Sequence, residues 1–447
     1  MPPAVGLVPR PENRCRDSRR LSQDRPVNKL EPRRLTREQA PAFARTMELC
    51  FGNVATEQDV AAIVAEDFEQ DWAIGVHDGG DLVATACATP LELTLPAGPG
   101  RPFPVLGVAG VTCVGVLPTH RRRGLLRQMM AYQLAQFRER EIPVAILTAS
   151  ESVIYGRFGY GLASSHQSLE IATRRSAFRE LPYLALPGEG RVHIVGKDEA
   201  AKVLPSLHAE ARVLRPGEID RAEARWTGIL DDPERHRHGT SARMYVVHED
   251  ATGKPDGYAS YRFQYQADGP SRGHRVVVVE DIYSLVAAVQ ARLWRYLLDL
   301  DLVEELRTGA RPVDEALRWM LADPRQLRTT GLGDMLWAKL VDIPAALSAR
   351  GYAASTELVL EVRGAGERLG RYRLETGPGA ADCRRAKAGE KTDLVLGLGD
   401  LAAVYLGGCR PSVLAAAGRV QEARPGALAR ADAAFTGPLA PFCGTHF

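Results

Sequence analysis

The sequence predicts an α/β protein in which a strand–helix–strand unit occurs twice and is followed by a strand-rich α+β segment. Three observations carry this reading. The β-branched, glycine-containing run Val105–Val116 reads as a long strand, residues 124–141 place Leu126, Met130, Leu134 and Phe137 at helical spacing, and residues 142–149 read as a second strand. A helical crossover between two such strands implies a locally parallel pair. The same order returns where residues 276–283 precede the amphipathic run Ala287–Leu298. From about Gly331 the pattern changes to short strands and helices. With 447 residues and 45% hydrophobic content the chain can enclose about two to four cores.

Residues 1–34 hold nine basic side chains against four acidic ones without apolar periodicity, and are expected to form a disordered basic leader. A first domain then spans 35–180, with a helix at 37–49 and strands at 72–76 and 82–88 ahead of the strand–helix–strand unit. A second spans 181–325, with strands at 244–248, 258–261 and 276–283. Between its last strand and its helix stands little more than Ser284-Leu285, so the repeat is read as a duplication in which only the first copy kept its chemistry. The third, 326–447, has expected strands at 336–341, 358–362, 372–374 and 394–398 and helices at 400–406 and 411–417.

No run approaches the roughly 18 to 20 apolar residues that cross a bilayer. The seven cysteines are scattered, odd in number and form no C-x-x-C pair. A soluble protein of the reducing cytoplasm is expected, without disulfide framework, metal, membrane or nucleic-acid partner. His236-x-His238 beside Glu234 lacks a third ligand and reads as a loop.

The chemistry is carried by residues 111–127. A strand enters, Pro118 stops it, and the turn Thr119-His120-Arg121-Arg122-Arg123-Gly124 leads into a helix whose first amides lack intrahelical partners. Orphan N–H groups, the positive helix end, a glycine that admits close approach and three arginines suit a pyrophosphate. Upstream, a strand edge disturbed at Gly115 would leave the backbone of Val114 and Val116 free to pair with an extended, amide-bearing arm. Pyrophosphate plus such an arm describes coenzyme A. The lysine and Ser/Thr of a Walker loop are absent, as is G-x-G-x-x-G.

Arg121-x-x-Gly124-x-Leu126 after a Val-x-Val strand resembles the acetyl-coenzyme A loop of the GNAT N-acetyltransferases, with Leu126 where Gly or Ala is common. Residues 118–126, then Ala149-Ser150-Glu151, 154–161 and the terminal Cys443-Gly444-Thr445-His446-Phe447 resemble the enhanced intracellular survival (Eis) acetyltransferases of actinobacteria. The resemblance implies two tandem GNAT-like domains, the second degenerate, followed by a sterol-carrier-protein-like α+β domain. It also implies a homohexamer and acetylation of amines, aminoglycosides included, at more than one position. Acetyl-CoA would be the co-substrate, held by Val114, Gly115, Val116, Arg122, Arg123, Gly124, Leu125, Leu126 and Arg127, with Ser150 and Glu151 touching it from the next strand end.

The family's general acid corresponds to Tyr155, and a phenol of pKa about 10 can protonate a thiolate whose conjugate acid lies near 8.5. The family's base is the α-carboxylate of a terminal phenylalanine, here Phe447; Glu151 and His446 are fallback bases. A carboxylate lies about 7 pKa units, roughly 9 kcal/mol, below an alkylammonium, so it would accept the proton through water or after attack. The acidic stretch Glu57, Asp59, Glu66, Asp67, Glu69 and Asp71 is a candidate wall for a cationic acceptor, and a solvated helix face accounts for it equally well. The leading expectation is an N-acetyltransferase of cationic small-molecule amines. The alternatives are a protein-lysine acetyltransferase and a non-catalytic scaffold or lipid-binding protein.

Overall fold

The computed structural model describes residues 30–184, 190–267, 273–364, 368–377 and 379–447; the expected leader lies outside them as far as residue 29. In chain order the first part gives β1 (Arg33–Arg34), α1 (Ala40–Phe51), α2 (Glu57–Glu66), β2 (Ile74–Asp78), β3 (Asp81–Thr94), β4 (Val105–Val116), α3 (Leu125–Glu139), β5 (Val144–Thr148), α4 (Ser152–Tyr155), β6 (Gly161–Leu162) and β7 (Ser165–Ala172). The second gives β8 (Arg191–Val195), α5 (Lys197–Arg212), α6 (Glu223–Asp231), β9 (Met244–Glu249), β10 (Pro255–Ala267), β11 (Gly273–Ser284), α7 (Ala287–Leu298), β12 (Glu305–Thr308), β13 (Arg311–Pro312), α8 (Leu317–Met320), β14 (Arg328–Asp334) and β15 (Leu336–Leu340). The third gives α9 (Ile343–Ala349), β16 (Thr356–Arg363), β17 (Arg368–Thr376), β18 (Ala381–Arg385), β19 (Leu394–Gly397), α10 (Leu398–Tyr405), α11 (Pro411–Ala416), β20 (Val420–Glu422) and α12 (Ala427–Phe435).

The local signals explain the ends of these elements. Thr56 caps α2, its hydroxyl accepting from the Asp59 N–H while Asp59 takes the Thr56 N–H at 2.9 Å. The helix expected from residue 37 starts as α1 only at Ala40, because Pro41 suits a first turn, and Gly52 ends it at φ +88°. β3 runs on through Pro90, which is tolerated because β2 pairs only with Asp81–Ala86 and the next contact along that side, Leu93 with Ile219, comes after the proline.

Three sheets form, and their membership corrects the expected boundaries. The first has the order β1-β2-β3-β4-β5-β15-β6, the second β13-β7-β12-β11-β10-β9-β8 with β14 also on β7, and the third β18-β17-β16-β19-β20. Arg33–Arg34, counted with the leader, already pairs with Ile74–Gly75. The strand at 336–340, expected in the third domain, lies between β5 and β6 of the first sheet, with Leu336 opposite Thr148 and Trp337 opposite Leu162. β7, expected in the first domain, belongs to the second sheet between β12 and β14. Each of the first two domains is thus completed by a strand from beyond the other's edge. Period-2 apolarity marks a strand without naming its neighbour, which is why the sequence could not place these two.

One core unites the first and third domains. Leu91, Val108, Val144 and Ile146 from one face of the first sheet and Leu336, Ala338 and Leu340 of β15 join Leu358, Leu374, Leu401, Tyr405 and Phe435. The other face of the first sheet buries Phe43, Ala109, Val111, Ala145, Leu147 and Phe137. Among the described residues no helix is long and apolar enough to cross a membrane.

Candidate active site

The first sheet opens where the chemistry was expected. β4 and β5 are paired at two positions, Ala109 with Ala145 and Gly110 with Ile146; beyond them β4 continues to Val116 with pairing to β3 alone. The backbone of Val114–Val116 that faces β5 is left without a strand partner. The disturbance is a bulge at Cys113, whose φ is +53°, and not Gly115 itself. Gly115 is needed for a different reason: a Cβ there would stand 2.6 Å from Cys50 Cβ on α1. Burial pushes the Cys113 thiol well above its ordinary pKa, so it stays protonated and is no nucleophile.

The basic turn folds as a cradle. Arg122 at φ +62° and Gly124 at φ +82° turn the chain into α3, whose first amides face outward, and nothing lies within 4 Å of where a Gly124 Cβ would sit. That open space at a helix N-terminus fits a phosphate group. Arg122, Arg123 and Arg127 are exposed at its rim. Leu125 and Leu126 offer backbone only, since Leu125 is buried and Leu126 packs against the core. Arg121 serves the fold, because its guanidinium donates to the carbonyls of Val116 and Cys50, both at 3.2 Å, and pins the turn to α1. Ser150 and Glu151 are exposed after β5.

Tyr155 and Phe447 approach this opening from opposite sides of the sheet. Tyr155 belongs to the cluster covering Ala109, Val111, Ala145 and Leu147, with its ring 6.0 Å from Tyr160. Burial first, and the charge of Glu151 second, raise its pKa and keep the phenol protonated. The Phe447 ring lies on the alternate face, where a Cβ on Gly110 would meet it at 3.0 Å.

The last residues are held by the second domain. Glu218, 2% exposed, accepts from Gly444 N–H (2.8 Å), Thr445 Oγ1 (3.1 Å) and Tyr283 Oη (2.8 Å). Arg221 donates to Thr445 Oγ1 (2.9 Å) and to both oxygens of Asp281 (2.7 and 3.0 Å). Burial opposes the charge on Asp281, but Arg221 outweighs it and holds the carboxyl below its ordinary range. A Cβ on Gly444 would collide with Tyr283 Oη, so glycine is required for this seating. Phe442 packs under Arg311, 5.7 Å from its guanidinium carbon.

The acidic stretch divides. Glu57 pairs with Arg45 and Asp59 with Arg235, both at the surface. Glu66 and Asp67 are half-buried against α6, 2.5 and 3.8 Å from Arg225, and burial raises both pKa values. Asp67 acts electrostatically on Cys113 at the bulge, and Arg225, which answers this acidic pair, acts on both Cys113 and His446. At His446 desolvation of the imidazole, then Arg225, His166 and Arg221, lower the pKa.

Residues 31–163 and 217–340 each match an acetyltransferase (GNAT) domain family, and 343–444 match a sterol carrier protein domain. An uncharacterised N-acetyltransferase of Streptomyces coelicolor is 38% identical over 419 residues, which is 92% of this chain and 98% of that protein. N-acetyltransferase Eis of Mycobacterium bovis is 34% identical over 82% of this chain and 87% of its own length. The crystal structure of Eis1 from Mycobacterium abscessus aligns with a TM-score of 0.78 at 29% identity, covering 93% of this chain and all of that one. This chain belongs to the Eis family of GNAT N-acetyltransferases. As an Eis-family acyltransferase it uses an acyl-CoA, and the cradle above has the shape and charge for one. The family's second GNAT domain is matched here by a copy without the basic turn. Missed entirely by the sequence reading were Glu218, Arg221, Asp281 and Tyr283, which lie in that copy and carry no local motif.

Proposed function

We propose that the chain transfers acetyl from acetyl-CoA to primary amines of cationic small molecules, aminoglycosides being the acceptor class, at more than one position. The observation that carries this is the placing of Tyr155 and Phe447 on opposite faces of the first sheet where β4 and β5 part. The likeness to N-acetyltransferase Eis over most of the chain supports an amine acceptor.

Val114–Val116, the amides at the start of α3 and Arg122, Arg123 and Arg127 hold the co-substrate, with Ser150 and Glu151 at the neighbouring strand end. Acetyl-CoA supplies the acetyl group as an activated thioester. The α-carboxylate of Phe447 takes the amine proton. Because that transfer is uphill by roughly 9 kcal/mol for a free ammonium, it proceeds through water or once attack has acidified the nitrogen. Tyr155 supplies the proton to the departing sulfur. Direct attack in a ternary complex needs no covalent enzyme intermediate. The same proposal includes the reducing cytoplasm, where the six described cysteines are free thiols, and a homohexamer, read by light scattering.

The test is thiol release from acetyl-CoA with aminoglycosides, polyamines and lysine peptides. Turnover of aminoglycosides with products carrying more than one added acetyl is expected. Turnover of peptides alone would replace the acceptor class, and no release with any amine would overturn the reading.

A further inference from the structure

Lys339 on β15 is a buried cation with no counterion among the described residues. Its side chain is enclosed at 6% exposure, and Nζ donates to the Phe158 carbonyl at 2.5 Å. The charge acting on it is that of another cation, Arg138 on the last turn of α3. A buried ammonium left unneutralised beside a like charge is costly, and the cost is relieved by an anion. Burial, aided by Arg138, pushes the Lys339 amine down to about 8.

Lys339 opens onto a cavity of about 900 Å³ at the seam of the first and third domains and onto an adjoining one of about 370 Å³. The larger is within the range of ligand pockets, roughly 300–1,000 Å³. Arg138 and Arg157 stand exposed at its mouth, and neither has an ion-pair partner among the described residues. Its carboxylate, Asp400, is already taken by Arg419 at 2.6 Å. An apolar stretch of the lining is formed by Val153, Phe158, Trp337, Leu369, Leu398 and Leu414, interrupted by Ser164, Ser165 and Arg363. Neither the acyl-CoA cradle nor Tyr155 or Phe447 lines it.

We propose that this seam binds an anionic amphiphile, a carboxylate head on a long apolar tail, with the head on Lys339, Arg138 and Arg157 and the tail along the apolar wall. The site is independent of the acetyl-transfer reading. Its occupant would bridge β15 and α10, and so the first and third domains. A cationic head is excluded by the charge of the lining, and a neutral one leaves Lys339 unpaired.

The test is calorimetric titration of the full chain with sodium dodecanoate, dodecan-1-ol and dodecyltrimethylammonium, each below its aggregation limit. Saturable dodecanoate binding is expected, with the alcohol and the ammonium about tenfold or more weaker, as a charged hydrogen bond of about 1.5–3 kcal/mol requires. Lys339→Met is expected to remove that preference while thiol release from acetyl-CoA stays unchanged. Arg138→Gln with Arg157→Gln, both at exposed positions that the fold does not need, is expected to weaken dodecanoate severalfold. Equal binding of alcohol and carboxylate, or dodecanoate affinity unmoved by both sets of substitutions, would overturn the proposal.

Discussion

In the first GNAT domain β4 bulges at Cys113, leaves β5 after two paired positions and ends in a basic turn ahead of α3. In the second, β11 bulges at Glu280, stays beside β12 over four positions and reaches α7 after Leu285 and Val286. The first strand end presents bare backbone to a ligand. Its counterpart presents side chains: Asp281 and Tyr283, which with Glu218 and Arg221 fasten residues 443–445. A bulged strand end can be a cradle or a clamp, and the short connection in the second copy removed the anion-binding turn while leaving the clamp. The duplicate is therefore not idle; it positions what reaches the first copy's sheet.

That division of labour can be broken from the terminus outward. Adding a single glycine after Phe447 moves the carboxylate off its position, and kcat for thiol release is expected to fall by about 10²–10⁴-fold with circular dichroism unchanged. Next in size, Tyr155→Phe should lower kcat by about 10²-fold while the acyl-CoA KM stays within about twofold. Glu218→Gln keeps the shape of the clamp and removes its charge; kcat is expected to drop about tenfold, again with little change in acyl-CoA KM, since hydrogen bonds to a charged group are worth about 1.5–3 kcal/mol. The smallest and opposite effect comes from the cradle: Gly124→Ala, at φ +82°, introduces at least about 1 kcal/mol of strain and should raise acyl-CoA KM roughly fivefold with kcat nearly unchanged. A Glu218→Gln enzyme that lost acyl-CoA affinity instead of kcat would dissolve the distinction between cradle and clamp.

The cradle was legible because its signals are local. Pro118, the arginines, Gly124 and the helical spacing of Leu126, Met130 and Leu134 sit within one strand-turn-helix, and Val105–Val116 and Ala287–Leu298 match the expected ranges. Gly115 was recognised as special for the wrong reason, because its close neighbour, Cys50, comes from a distant helix. The clamp was illegible for the same cause: Glu218 and Gly444 meet across most of the second half of the chain, and neither has a neighbour in sequence that announces the contact. The acidic stretch was visible, but only the fold shows that Glu57, Asp59, Glu66 and Asp67 answer arginines, the first two at the surface and the last two half-buried against α6.

The placing of β15 has a consequence for how the protein is made. During synthesis the first sheet stays open along β5 until the entire second domain has left the ribosome, because the strand that closes it is encoded beyond that domain. Val144–Thr148, nearly all buried in the finished protein, is until then an apolar edge available to any neighbouring strand. Pairings of such long range also close slowly. Nascent chains are therefore exposed to aggregation for the whole interval, and the yield of active protein will depend on chaperone supply and on the speed of translation through residues 165–340.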